Sequence, residues 1–430
     1  MHSRSPMTCR RGSVLIVVLW ASVALVSIAL LFGHSMLMAY RGTDNDLAGR
    51  QADAAIEGGI RYVETLLMNT ETPGMLPDIT TYAAEAMPVG EATFWILGRP
   101  EGTGNGTTRE FALIDEASKL NLNTVPREVL LGLDLEGMTD DFADLIVQWR
   151  DPNSSGSGSG GITATNVKGA RFESPEELAM LGVATRAMLF GEDANLNGVL
   201  DSNEDDGDHS PPPDNSDGKL DPGILEYVTT FTTEPKTNAS GEARVDVTRD
   251  SNGLAKVLRD RLPSRADEVL QRLGATPSTS VMQLFRRGGF SADEAEKIVD
   301  DVRGPQIEGL VNVNTASETV LACIVGVDKA EELVSARLNR AEQTRDMTWA
   351  IEILGDLVDK VGQMFTGSTW QVCADIAAVG RHGRGYRRTR VVIDTSLGTP
   401  RVIHRQNLAP RGWALGREIR DSLVMKREVR

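Results

Sequence analysis

The chain has 430 residues, enough for two or three domains, and its 45 Lys and Arg against 61 Asp and Glu leave a formal net charge of −16. A general nucleic-acid binder needs a cationic surface to displace counterions, so this balance argues against one and suits a soluble, exported, cation-binding surface. No nucleophile motif or paired general acid and base is visible, and the five His (His2, His34, His209, His382, His404) show no zinc spacing, which points away from an enzyme.

The most informative stretch is the first fifty residues. Arg10 and Arg11 are followed by Gly12 and then by a charge-free run from Ser13 to Tyr40. From Val14 to Phe32 that run is apolar apart from Ser22 and Ser27. As a helix it nearly spans a hydrocarbon core of about 30 Å. The basic flank is expected to stay in the cytoplasm, with the rest of the chain facing outward. No A-x-A-like site closes the run, as one would in a secretory signal. The alternative cleavage point precedes it, at Arg11-Gly12-Ser13. This order resembles the type IV pilin and pseudopilin class, in which a prepilin peptidase cuts after the Gly. The resemblance implies that residues 1–12 are a leader, that Gly12 and Ser13 flank the processing site, and that a methylated Ser13 begins the mature chain. An uncut N-terminal anchor is the plain alternative.

Most subunits of that class carry a Glu as the fifth mature residue, whose cost in lipid demands a partner. Here the fifth is Val17, which cannot make that pair. Its absence resembles the minor pseudopilin subunit K of type II secretion systems, placed by that resemblance at the filament tip. Loss of Arg4, Arg10 and Arg11 with the leader would take the charge to about −19. Cys9 would go with it. Cys323 and Cys373 remain, as a pair in an oxidising compartment or as buried free thiols.

Beyond the membrane the helix is expected to continue. Leu47, Ala54, Ala55, Ile60, Val63, Leu66 and Leu67 recur at spacings near three and four, and Pro73 ends the helix at the latest. Thr93–Leu97 and Glu110–Ile114 then read as a hairpin, joined by the turn-rich Gly102–Gly106. From about residue 116 to 362 the chain reads as helical segments and acidic loops.

Leu120-Asn121-Leu122-Asn123-Thr124-Val125 recurs as Val311-Asn312-Val313-Asn314-Thr315-Ala316, each copy before an amphipathic segment. In the second, Asn314 or Thr315 can cap the helix. The motif resembles the start of a helix-hairpin-helix unit. A DNA role is disfavoured by acids where phosphate binding needs cations: Asp134, Glu136, Asp140 and Asp141 in one copy, Asp328, Glu331 and Glu332 in the other. Subunit K carries such Asn-rich helix starts, and Gln148-Trp149-Arg150-Asp151 and Phe172–Leu178 look like its Trp-x-Asp step and Ser-x-Glu-Glu-Leu helix start. Ser174 stands at the cap and Pro175 at the first helical position. Between them Pro152–Gly161 is a Ser/Gly-rich loop.

Asp193–Glu204 matches the EF-hand loop. Asp193, Asn195 and Asn197 stand at positions 1, 3 and 5, and Gly198 at 6, where the chain turns sharply. Val199 at 7 offers its carbonyl. Asp201 at 9 binds directly or through water, and Glu204 at 12 can be bidentate. Ca2+ wants six to eight hard oxygens, and this spacing wraps them around one point. Glu192, Asp205, Asp206 and Asp208 lie outside the ligand positions and read as solvated. A degraded copy offers Asp214, Ser216, Asp217 and Asp221 as a shorter second site, with Glu226 folding back. The expected role of the metal is structural: without it the carboxylates repel, and binding supplies the free energy of ordering.

Strands return after about residue 366: Thr369–Ala374, Arg388–Ile393 and, as a candidate third, Arg401–His404. Arg381, Arg384, Arg387, Arg388, Arg390, Arg401, Arg405 and Arg411 read as a solvated, charge-protected edge or as a docking strip for acidic partners. Arg417–Arg430 reads as disordered.

The expected fold is α+β. It comprises a leader (1–12), a transmembrane and amphipathic helix (13–72), and a pilin-like antiparallel sheet head in two parts (73–118 and 363–415). An α-helical domain (119–362) is inserted between them, and a tail (416–430) follows. The resemblance implies a non-enzymatic, single-pass inner-membrane subunit with its head in the periplasm. Its partners would be other minor pseudopilins of the tip complex, prepilin peptidase, the inner-membrane secretion platform and membrane lipid, with no nucleic acid. A membrane-anchored helix-hairpin-helix DNA-uptake protein and an anchored calcium-dependent adhesion module are the rivals.

Overall fold

The computed structural model describes residues 11–99, 108–135, 137–151, 168–340 and 344–428. Residues 1–10 of the expected leader, the Gly102–Gly106 turn and the Pro152–Gly161 loop lie outside the described residues.

One helix runs from Arg11 to Met68, 58 residues or about 87 Å. It stops before Pro73, as expected. Every side chain from Val14 to Thr43 is exposed, and this half is long and apolar enough to cross a membrane. From Ala48 on, the helix buries Ala48, Ala52, Ala55, Ile56, Ile60, Val63 and Leu67. The expected stripe was thus one residue out of phase at its start: Leu47 and Ala54 face outward. Ala48 and Ala52, absent from that stripe, join Ala55 in setting the contact face at this end.

That face lies on an antiparallel sheet: β1 (Met87–Val89), β2 (Ala92–Leu97), β3 (Ile114–Asp115), β4 (Gln371–Gly380), β5 (Arg384–Asp394) and β6 (Arg401–Asn407). The order is β1-β2-β4-β5-β6, with β3 also paired to β4. The expected hairpin between 93–97 and 110–114 does not form. β2 turns back on β1 at Gly90-Glu91, and of the second segment only Ile114 is strand, in the two-residue β3 with Asp115. Both segments align on β4 instead, with Ile96 opposite Ile376 and Ile114 opposite Cys373. Local propensity cannot register a partner more than 250 residues away.

All ten residues of β4 are buried because the sheet is covered on both faces. Val372, Ala374, Ile376 and Ala378 pack with Phe94, Ile96, Val391 and Ile393 against the long helix. Burying each large aliphatic there contributes about 1.5–3 kcal/mol. Ala377 and Val379, on the other face, pack with Trp95, Leu97, Ala414 and Leu415. The C-terminal residues expected to be disordered instead form a helix, Gly416–Glu428, whose Ile419 and Leu423 join this second cluster. Cys323 and Cys373 are free thiols, and burial pushes each up to about 12.

Between the two parts of the head, a helical region with its own core departs after β3 and returns at Phe365–Thr366. The repeated Asn motif organises it. Leu120-Asn121 pairs in parallel with Val228-Thr229, and Val311-Asn312 with Phe365-Thr366. In each copy the first Asn side chain accepts the N–H two residues on, at 2.9 Å from Asn123 and 3.0 Å from Asn314. An arginine then closes each turn: Arg150 donates to the carbonyls of Leu122 and Val125, Arg337 to those of Val313 and Ala316. A third unit of the same build has no Asn. Val245-Asp246 pairs in parallel with Val302-Arg303, and Asp246 accepts from the N–H of Thr248 at 3.0 Å.

The cap of the second copy is a correction. Ser317, not Asn314 or Thr315, accepts from the N–H of Val320. Asn314 is engaged by Trp349, and Thr315 donates to Asp115. The amphipathic run that follows is two helices, Glu318–Val325 and Val327–Leu338, broken at Gly326. Ser174 stands at the start of a 3₁₀ helix with Pro175 after it, but its side chain makes no cap bond. Glu177 binds the Glu173 N–H at 2.7 Å instead.

Candidate metal loop and the arginines that hold it

The Asp193–Glu204 loop sits on the face of the sheet opposite the long helix. Asp193, Asn195, Asn197 and Glu204 are buried, and Asp201 is half-buried. The Asp193 carboxylate accepts from the N–H groups of Asn197 (3.0 Å) and Gly198 (2.8 Å). Gly198 takes a φ of +72°, where an L side chain is strained. Glu204 reaches back across the loop to the N–H groups of Ala194 (3.1 Å) and Asp201 (3.0 Å). The Asn195 and Asn197 amides both donate to Asp201, at 2.8 and 2.9 Å. Positions 1, 3, 5, 9 and 12 therefore belong to one hydrogen-bonded ring.

The electrostatics of that ring are unfavourable without a cation. Burial pushes the Asp193 carboxyl up. Burial, and then repulsion from Asp193, pushes the Glu204 carboxyl up to about 8. The Asn195 Oδ1 is buried with no hydrogen-bond partner. Two strained carboxyls and an orphaned amide oxygen, all hard donors, fit a hard oxygen-loving cation. Among the described residues no group of three or more His, Cys, Asp or Glu is gathered as a metal site. Asp193, Asp201 and Glu204 are thus not drawn together as one here, and the ring closes through the Asn195 and Asn197 amides.

The second loop is arranged differently. Asp214 accepts from the N–H groups of Asp206, Gly207 and Ser216, and Asp217 from that of Lys219. Asp221 accepts from the Asn215 amide. These acids hold the turns of their own loop. Glu192, expected to be solvated, is 7 % exposed and accepts from the N–H groups of Asn215 and Asp221. Asp205 and Asp206 likewise bind backbone N–H groups. Glu226 does not fold back to this loop: it pairs with Arg99 at 2.7 Å. A cleft of about 950 Å³ separates this region from the helix-hairpin units, lined in part by Asp134, Glu192, Asp221 and Glu318.

The arginines of the C-terminal strands lie against acids and carbonyls rather than free. Arg401 fits the solvated-edge reading, exposed on edge strand β6 and 3.9 Å from Asp394, but neither that reading nor a free docking strip describes the others. Arg388 forks onto Asp375 of β4 at 2.8 and 2.7 Å, with both side chains fully buried, and Arg390 adds a further contact to Asp375 at 2.8 Å. The same two guanidiniums reach the metal loop. Arg388 donates to the carbonyls of Asn195 (2.5 Å) and Leu196 (2.6 Å), and Arg390 to that of Leu196 (3.2 Å). Arg99, just past β2, donates to Leu196 (3.0 Å) and Asn197 (3.3 Å). Five of the remaining arginines meet other elements. Arg381 and Arg384 bind Asp44 of the long helix, Arg387 binds Asp53 and Arg405 binds Glu57. Arg411 lies over the Phe190 ring at 4.0 Å.

A second buried acid joins head to insert. Asp115, at the end of β3, accepts from Ala117 N, Thr315, Thr369 and Asn312. Burial pushes its carboxyl up despite these bonds. Neither Asp115 nor Asp375 was singled out in the sequence. A lone acid within apolar β4, and two arginines two residues apart in β5, were the available signals.

No family model matches the chain, and no curated protein does. Among solved structures, the GspK-GspI-GspJ complex of the type 2 secretion system from enterotoxigenic Escherichia coli aligns at 10% identity. The alignment covers 89% of this chain and 99% of that one, with a TM-score of 0.34.

Proposed function

We propose that the chain is a minor pseudopilin of the subunit K type, a non-enzymatic tip component that starts or caps a type II secretion pseudopilus. The observation that carries this reading is the long helix. Its first half is bare and apolar behind an Arg-Arg-Gly-Ser junction, and its second half is laid on an antiparallel sheet. A helix so built anchors a subunit in the inner membrane and is available for packing in a filament. The head then stands in the periplasm, following the basic flank at Arg10 and Arg11. Val17 needs no buried charge partner, which suits a subunit with no neighbour above it. The inserted helical domain is bulky, which a tip accommodates and a packed shaft does not.

Calcium is the proposed metal of the first loop, held by Asp193, Asn195, Asn197, Asp201 and Glu204 and by the carbonyl of Val199. Bound there, it would neutralise the acids that burial strains, so its part is structural. Asp214, Ser216, Asp217 and Asp221 remain the proposed shorter second site.

The test is assembly. Full-length protein solubilised from native membranes is expected to co-purify with other minor pseudopilins, and deletion of the gene should stop export across the outer membrane. Export unchanged by the deletion, with no pseudopilin in the purified material, would sink the proposal.

A further inference from the structure

We infer that Arg99, together with Arg388 and Arg390, positions the metal loop from outside, presetting it for its cation without supplying a ligand. This rests on the calcium reading of the loop. The three side chains come from the head, and the loop belongs to the insert. They take up the carbonyls of residues 195, 196 and 197, with Leu196 O receiving all three guanidiniums. None of those carbonyls is a ligand position in a loop that uses side chains at 1, 3, 5, 9 and 12 and the carbonyl at 7. Leu196 itself is held at a φ of +56°, a conformation unusual for a leucine. From the other side the Asn195 and Asn197 amides donate to the carbonyls of Trp413 (3.3 Å) and Ala414 (3.4 Å), next to the C-terminal helix. The three carbonyls and both amides between positions 3 and 5 thus each reach the head, while Asn195 Oδ1 is left buried and unpartnered.

Two effects of the clamp oppose each other. Three cations beside a metal site repel a divalent ion, so removing one should tighten binding if charge decides. Fixing the loop beforehand removes the ordering cost from the binding step, so removing a clamp should weaken binding if geometry decides. The geometry points to the second. A guanidinium serves two carbonyls at once because its donors form a planar fork, whereas an ammonium does not. Arg99 uses that fork on Leu196 and Asn197 while its Nε holds Glu226.

The experiment measures calcium binding by titration calorimetry on full-length protein in detergent, for wild type, Arg99→Gln, Arg99→Lys and, as a site control, Glu204→Gln. Amide hydrogen exchange of residues 193–204 in a chelator is followed in parallel. Both Arg99 variants are expected to bind calcium more weakly, by about tenfold or more, and to exchange faster across the loop without metal. Tighter binding by Arg99→Gln with unchanged Arg99→Lys would overturn the inference in favour of charge. Calcium binding by wild type with identical affinity and exchange in the variants would overturn it outright. If wild type binds no calcium, the metal reading fails. The exchange data then decide the clamp alone, which stands only if exchange accelerates in both variants. Should Arg99→Gln not fold, Arg390→Gln carries the same test, since Arg388 still neutralises Asp375.

Discussion

Asp375 shows what the single-residue scale adds. Burial pushes its carboxyl up, and the Arg388 and Arg390 guanidiniums more than reverse this, holding it well below the usual carboxylate range. A carboxyl depressed on folding contributes stability above its unfolded pKa of about 3.9, and that contribution is lost as pH falls through the folded value. Asp375→Asn should therefore cost about 3–5 kcal/mol at neutral pH, because it strands a buried Arg388. The gap to wild type should narrow as the pH drops below about 4. Urea unfolding at a series of pH values checks both parts, and a constant gap would contradict them. The arginines were visible in the sequence, but their use was not. Their acid partners, Asp44, Asp53, Glu57 and Asp375, lie on elements that only the fold brings alongside β5 and β6. The loop's own ring of hydrogen bonds is local, within the twelve residues Asp193–Glu204, so its acids and amides were visible together in the sequence. Its holders Arg99 and Arg388 were not, because they come from nearly 100 residues before and nearly 200 after.

At the scale of elements, the head depends on the β4–β5 hairpin tip lying directly on the long helix. Gly385 has a φ of +67°, and a Cβ there would stand 2.4 Å from the backbone of Ala48 and Gly49. Gly385→Ala thus meets both left-handed strain and a clash with a helix backbone. We expect a loss of about 2–5 kcal/mol in unfolding free energy. A loss below about 1 kcal/mol would mean that the tip is not seated on the helix as described. The long helix and the Leu-Asn-Leu-Asn units were legible, since a long apolar run and a repeated hexapeptide are local signals. The head's pairing was not, since β2 and β3 meet a strand contributed by the far end of the chain. The third unit was hidden by chemistry: Asp246 and Thr248 replace the two Asn residues yet make the same turn.

For the whole molecule, the layers assemble around β4: the long helix on one face, the Asp193–Glu204 loop and C-terminal helix on the other. Asp115 and the three loop-holding arginines join the helical insert to this head. The α+β plan with a helical insert was readable from the change in character at about residues 116 and 366. That the last helix completes the head was not, because its short apolar face is masked by mixed charge. The central claim concerns what the N-terminal helix is for, and its most direct test is the intact mass and N-terminal sequence of protein from native membranes. The comparison is between strains with and without active prepilin peptidase. The account predicts a methylated Ser13 as the first residue only where the peptidase is active. A chain that begins at Met1 in both strains would contradict it and leave an uncut membrane anchor in its place.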